Sequence, residues 1–94
     1  MVTDAALGRV VHCKKEPFDV YIGRPSKWGN PYRLVVDGTR AEVLEKYAAW
    51  IWLEPQTNLR QAAREELRGK VLGCWCAPRA CHGDILLKIA NGED

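Results

Sequence analysis

Residues 71–90, VLGCWCAPRACHGDILLKIA, hold most of the reactive side chains of this chain. Three of the four cysteines and one of the two histidines fall within this stretch. Its pattern predicts a short buried strand over residues 71–76, a loop over 77–80 and a helix over 83–90. Cys81 and His82 are therefore placed near a helix N-terminus, where unpaired backbone N–H groups favour thiolates and anions. The stretch thus predicts both a strand–loop–helix unit and a candidate site.

Composition sets limits on the class of protein. The chain has 94 residues, of which 47% are hydrophobic and 28% are charged, as in an ordinary folded domain. We expect a single domain over residues 1–94, with a loose arm at 1–7 and a core over 8–91. No apolar run approaches the roughly 20 residues that a membrane helix needs, and the first ten residues lack a secretory-signal pattern. We therefore expect a cytoplasmic protein with no membrane partner, in which clustered cysteines indicate metal ligands or reactive thiols before disulfides.

The rest of the pattern predicts an α/β domain. Residues 8–13 and 18–22 have strand character and are separated by a hairpin-length break, and residues 32–36 suggest a third short strand. A capping-box pattern at Thr39 and Glu42 precedes a predicted helix over residues 40–53. A second helix is predicted over 58–67. Together with the helix over 83–90, these elements predict a short sheet with about three helices packed on it.

Residues 23–31, GRPSKWGNP, predict an irregular loop, because two glycines and two prolines interrupt regular structure. Glycine lets a backbone approach a ligand, while arginine and lysine can bind phosphate or carboxylate groups. The ligand interpretation of this loop assigns five binding residues: Arg24, Ser26, Lys27, Trp28 and Asn30. In the alternative interpretation, Trp28 fills a core position and the cations are solvated.

Three interpretations of the cysteine cluster remain open. A zinc site would use Cys76, Cys81 and His82, although two adjacent ligands cannot easily reach one ion. A catalytic or redox site would use Cys81, with a pKa lowered by the helix N-terminus, and His82 beside it; burial would instead raise the pKa of Cys74. In the third interpretation, the cysteines are packing groups in a strand-to-helix corner.

The two informative segments are predicted to meet. In α/β domains, ligands bind beyond the carboxyl ends of strands, and the 23–31 and 77–82 loops each follow a predicted strand. Parallel neighbouring strands would bring the two loops together, with the Gly83 amide completing an anion site. The favoured function is binding of a nucleotide or another phosphate-bearing ligand, with or without a reaction on it. Nucleic acid is a weaker candidate, because the net charge is only +2.

Two segments also carry a resemblance: residues 21–32, YIGRPSKWGNPY, and residues 72–86, LGCWCAPRACHGDIL. Over residues 10–91 the chain resembles a family of small phage and bacterial proteins known as a domain of unknown function, family 4326. The family pattern covers Trp28, Gly29, Asn30, Pro31, Cys76, Cys81 and His82. The resemblance implies a phage or bacterial cytoplasmic domain and carries over no activity. His12 and Cys13 lie outside the pattern, which weakens them as metal ligands.

A competing function is a non-enzymatic interaction with a host or phage protein. Trp50 and Trp52 are the candidate contact residues, because they lie off the apolar stripe of their helix and aromatic side chains are enriched at binding hot spots. Packing against a neighbouring element is the alternative interpretation of both tryptophans. The sequence leaves the oligomeric state open.

Overall fold

A three-stranded parallel sheet forms the centre of the computed structural model, which describes residues 8–77 and 79–92. Its strands are β1 (Arg9–His12), β2 (Val20–Tyr21) and β3 (Val71–Cys74), in the order β1-β3-β2. The register pairs Leu72 with Val10 on one side and with Val20 on the other. A central parallel strand is normally covered on both faces, and Leu72, Gly73 and Cys74 are accordingly all buried.

The hairpin expected between the first two strands is wrong, because β1 and β2 each pair in parallel with β3. Residues 13–19 instead carry the chain across the central strand. Their path passes over Gly73, where an added Cβ would lie 2.6 Å from Cγ of Phe18. Asp19 holds the end of this connection against β3. Its N–H donates to the Val71 carbonyl and its carboxylate accepts from the Val71 N–H, both at 2.8 Å. The missing side chain at Gly73 leaves the room that this short connection needs.

Three α-helices cover the sheet, as the sequence predicted. They are α1 (Arg40–Ile51), α2 (Thr57–Glu66) and α3 (His82–Ala90), with a 3₁₀ turn at Glu54–Gln56. The predicted capping box is confirmed at α1, where the Glu42 N–H donates to Thr39 Oγ1 at 3.3 Å and the Thr39 N–H to the Glu42 carboxylate at 2.9 Å. Glu42 consequently has a pKa below its usual range.

The third strand expected over residues 32–36 is absent. The segment is a turn closed by hydrogen bonds from the Val35 N–H to the Gly38 carbonyl and from the Asp37 N–H to the Arg33 carbonyl. Val35 has a φ of 72°, a left-handed conformation that β-branched residues rarely adopt, and its side chain is 94% exposed. The β-branched residues that suggested a strand do not pair with the sheet, whose strands are β1, β3 and β2.

The core joins residues from every helix to the sheet. Tyr47 of α1 lies at its centre with none of its surface exposed, and burial raises its pKa. Fully buried side chains around it include Ile22, Ile51, Leu67, Leu72 and Leu86. These contacts confirm a small mixed α/β domain.

Two parts of the sequence interpretation lie outside the described residues: the loose arm at residues 1–7 and Pro78 in the predicted loop. Within residues 8–77 and 79–92, no helix has the length and apolar character needed to cross a membrane.

Candidate functional site

A pocket of about 310 Å³ lies beyond the carboxyl ends of β2 and β3. Its walls come from the 23–31 loop, the start of α1, the end of β3 and the first residue of α3. The lining residues are Tyr21, Gly23, Arg24, Asn30, Tyr32, Leu34, Arg40, Val43, Leu44, Cys74, Trp75, Cys76, Ala80 and His82. Within the part of the chain that the structure describes, no aspartate or glutamate belongs to this lining. The expected meeting of the two loops is therefore seen in the structure, at the edge where α/β domains commonly bind ligands.

Two arginines give the pocket its charge. Arg24 Nη1 donates a long hydrogen bond of 3.4 Å to the Asn30 carbonyl, and Arg40 Nη1 one of 3.5 Å to the Ala80 carbonyl. The ion pairs among residues 8–77 and 79–92 are Arg9–Glu16 and Lys27–Glu66, so neither pocket guanidinium has a carboxylate partner there. The pocket therefore presents positive charge that the described protein groups leave unneutralised.

Gly29 explains how the loop holds Arg24. An added Cβ at Gly29 would lie 2.8 Å from Cγ of Arg24, so the arginine stem crosses the loop directly over this glycine. A larger residue would push the stem away from its path. Gly29 therefore leaves the space that the Arg24 side chain needs to reach its position at the pocket.

The ligand interpretation required Trp28 to face the pocket, but the side chain is directed into the core. Its side chain is 3% exposed and belongs to the hydrophobic core, and the buried Tyr47 hydroxyl donates to its carbonyl at 2.9 Å. Lys27 lies over the indole at 4.8 Å from the ring centre and pairs with Glu66 at 2.8 Å. The structure therefore supports the part of the alternative interpretation in which Trp28 fills the core. The two cations differ, because Lys27 pairs with Glu66 whereas Arg24 lines the pocket.

Ser26 and Asn30 also have structural partners. Ser26 Oγ accepts from the Trp28 N–H at 3.3 Å. Asn30 lines the pocket, but its side-chain amide donates to the Val43 carbonyl at 3.2 Å and its side-chain oxygen accepts from the Tyr32 N–H at 2.8 Å. Asn30 therefore joins the loop to α1, and this is how an irregular segment acquires a fixed shape.

His82 and Gly83 are turned toward protein partners. His82 Nε2 lies 2.7 Å from the Ile22 carbonyl, which can only accept, so the neutral ring carries its proton on Nε2. Nδ1 then faces Cys81 Sγ at 3.5 Å as an acceptor. Burial lowers the pKa of His82 and favours this neutral form. The Gly83 N–H donates to Cys81 Sγ at 3.4 Å, so it caps the helix and does not complete an anion site.

The sulfur atoms of Cys74 and Cys81 lie 2.9 Å apart, within hydrogen-bond distance, and both are buried. The hydrogen bond from Cys81 and backbone N–H groups of Cys76 and Ala77 lower the pKa of Cys74. The hydrogen bond to Cys74 and burial raise the pKa of Cys81. The expected order of the two thiols is thus reversed, since the tertiary sulfur contact outweighs the helix N-terminus.

Several pocket residues were not among the predicted binding residues. One of them is Arg40, which directly follows the correctly predicted N-cap Thr39. Its place at the start of α1 was the signal from which a cation at this edge of the sheet could have been predicted. Tyr21 and Trp75 are joined by a hydrogen bond of 2.9 Å from the indole N–H to the phenol oxygen.

Trp50 is half-buried beside Tyr47, and Trp52 is 40% exposed with Arg60 over its ring, so the two tryptophans do not share one exposed patch.

We expect the pH titration of the thiols to depend on the sulfur pair. In metal-free protein, thiolate ultraviolet absorbance should rise with a midpoint below that of an ordinary thiol as Cys74 ionises. Cys81→Ala removes the main donor and should move this midpoint up toward the roughly 8.5 of an ordinary thiol. Cys13→Ala is the control and should leave the low midpoint in place. A low midpoint that survives Cys81→Ala would contradict this assignment.

The fold and the pocket define a small parallel α/β domain with an arginine-bearing pocket at the carboxyl edge of its sheet. Residues 8–92 match the family described as "Domain of unknown function (DUF4326)", and the chain belongs to this family. It is 41% identical over 86 residues to an uncharacterized 12.4 kDa protein in the nrdA-td intergenic region of Enterobacteria phage T4, covering 90% of this chain and 79% of the relative. It is 33% identical over 89 residues to uncharacterized protein R718 of Acanthamoeba polyphaga mimivirus, covering 76% and 65%. No solved structure matches the chain.

Proposed function

We propose that the pocket binds a small anion that carries a planar ring, with a nucleoside monophosphate as the representative ligand. The observation that carries the proposal is the charge of the lining. Arg24 and Arg40 enter it without carboxylate partners among the described residues, and no acidic side chain belongs to it. Guanidinium groups bind phosphate through paired charge-assisted hydrogen bonds, and their present bonds of 3.4 and 3.5 Å to carbonyls are weak competitors.

The remaining walls suit the ring of such a ligand. Tyr21, Tyr32 and Trp75 contribute aromatic surface, and Leu34, Val43 and Leu44 contribute aliphatic surface. Ligand pockets are typically mostly apolar with a few polar groups that fix orientation, over roughly 300–1,000 Å³. A pocket of about 310 Å³ lies at the lower end of this range. Its size therefore favours a mononucleotide over a dinucleotide.

The proposal concerns binding and not a reaction. Both nitrogens of His82 have partners inside the protein, at the Ile22 carbonyl and at Cys81. Cys81 is buried and is absent from the pocket lining. This geometry does not support the catalytic roles suggested for Cys81 and His82.

Binding can be tested by thermal unfolding and tryptophan fluorescence with a panel of purine and pyrimidine nucleoside monophosphates. Matched nucleosides, ribose 5-phosphate and inorganic phosphate separate the contribution of the ring from that of the phosphate. At 100 times its dissociation constant, a ligand stabilises the fold by about 2.7 kcal/mol. We expect at least one monophosphate to bind more tightly than its nucleoside and than ribose 5-phosphate. No response to any monophosphate at millimolar concentration would reject the proposal.

A further inference from the structure

Three thiols converge beside the pocket. Cys74 ends β3, Cys76 follows two residues later, and Cys81 is the N-cap of α3. Their sulfur atoms all lie within 4.8 Å of one another. Cys13, the remaining cysteine, is not part of this group. A strand end, a loop and a helix start are thus brought to one point by residues that can all supply a thiolate.

We infer that Cys74, Cys76 and Cys81 bind a single thiophilic divalent cation, with zinc as the reference ion. Zinc binds thiolates at about 2.3 Å in a tetrahedral arrangement, which separates neighbouring sulfurs by about 3.7 Å. The Cys74–Cys81 separation of 2.9 Å lies below this edge, and the 4.8 Å limit of the group lies above it. Side-chain rotations that move each sulfur by less than about 1 Å therefore convert the present arrangement into one face of a zinc tetrahedron.

The surroundings of the sulfurs support metal ligation. The Gly83 N–H already donates to Cys81 Sγ at 3.4 Å, and the Asp84 carboxylate accepts from the Cys81 N–H at 3.2 Å, which holds the ligand-bearing turn in place. The sulfurs of Cys74 and Cys81 lie within hydrogen-bond distance at 2.9 Å, and a cation bound between them would displace thiol protons. Outer contacts of this kind orient metal ligands and hold them in place.

The ligand set differs from the one that the sequence suggested. His82 was a candidate together with Cys76 and Cys81. However, its Nδ1 contacts Cys81 Sγ and its Nε2 is hydrogen-bonded to the Ile22 carbonyl. Cys74 takes its place in the group. Cys74 and Cys76 line the pocket, whereas Cys81 lies behind them. The fourth coordination position therefore opens toward the pocket, as in zinc sites that keep a position for water or a ligand.

Elemental analysis and native mass spectrometry of the full chain, produced in zinc-supplemented medium and purified without chelator or a metal-affinity tag, test the site. We expect one zinc ion per chain in the wild type and in Cys13→Ser, the matched control. Cys76→Ser should lose the ion. Cys76 is only half-buried, so this variant should keep its fold, which circular dichroism will show. Cobalt loaded in place of zinc should give thiolate charge-transfer absorbance that Cys76→Ser abolishes.

Any one of four results would overturn the inference. Three of them are absence of zinc and cobalt uptake by reduced wild-type protein, uptake that is unchanged in folded Cys76→Ser, and uptake that depends on Cys13. Iron with inorganic sulfide in the purified protein would also overturn it, because the inferred site holds a single ion. The inference does not depend on nucleotide binding. Metal content and nucleotide affinity are measured separately, so either proposal can fail alone.

Discussion

Replacing Trp28 with alanine should lower the free energy of unfolding by about 3–5 kcal/mol, the usual cost of truncating a buried aromatic side chain. Trp28 is 3% exposed and packs in the same core as Tyr47, whose hydroxyl bonds to its carbonyl at 2.9 Å. Such a loss is a large part of the roughly 5–15 kcal/mol that stabilises a typical domain. Urea denaturation followed by circular dichroism measures it. Trp28→Phe keeps a ring in the site and should lose less.

Trp52→Ala is the matched control for this change. Trp52 is 40% exposed and contacts Arg60 through its ring, so its removal should cost less than about 1 kcal/mol. The comparison separates the two interpretations of Trp28. If Trp28→Ala were as stable as Trp52→Ala and lost only ligand binding, Trp28 would be a ligand contact and its assignment to the core would be wrong.

Removing both pocket cations should weaken nucleoside monophosphate binding by at least about 100-fold. A hydrogen bond to a charged group contributes about 1.5–3 kcal/mol, so Arg24→Gln and Arg40→Gln should each cost roughly 10- to 100-fold in affinity. Neither arginine makes an ion pair among the described residues, and their bonds to carbonyls are long, so both variants should fold normally. Calorimetric titration of the single and double variants measures the loss.

Arg64→Gln is the matched control, because it removes the same charge from α2, which contributes no residue to the pocket lining. Its effect should be small, since salt screens charges that are far from the ligand. Equal weakening by all three single substitutions would mean that only overall charge attracts the ligand. In that case the pocket would not be the binding site.

The sequence predicted best those elements whose signals are local. The Thr39–Glu42 capping box marks the start of α1, and Gly92, with a φ of 84°, lies just beyond the end of α3. Each of these features depends on residues within one turn of each other. The helices were therefore placed within two residues of their observed ends.

Pairing of the strands could not be predicted in the same way. Two short strands separated by a few residues favour a hairpin, and the space above Gly73 that admits Phe18 becomes visible only when β3 lies between them. Residues 32–36 had strand composition without a neighbouring strand to pair with. Strand propensity reflects packing against partners, and here the partners come from the far end of the chain.

The sequence predicted that the two loops meet, but it did not predict the contacts of their individual residues. Both predicted loops border the pocket, and Arg24 and Asn30 line it. Trp28 faces inward because it packs in the core, and the Gly83 amide faces inward because it caps the start of α3. Cys74 becomes the more acidic thiol through a contact with Cys81, seven residues away, that a strand pattern alone does not show. Such roles depend on tertiary contacts between individual atoms.

The central claim is that the pocket between the 23–31 loop and α1 binds a nucleoside monophosphate, and chemical-shift mapping by NMR on ¹⁵N-labelled protein tests it most directly. Titration with the tightest monophosphate of the panel should shift the backbone amides of Gly23, Asn30 and Arg40 and the indole N–H of Trp75. These shifts should saturate together with one dissociation constant. Shifts confined to the residues around Arg60 and Arg64 of α2, or no saturable shift at any pocket group, would contradict the claim.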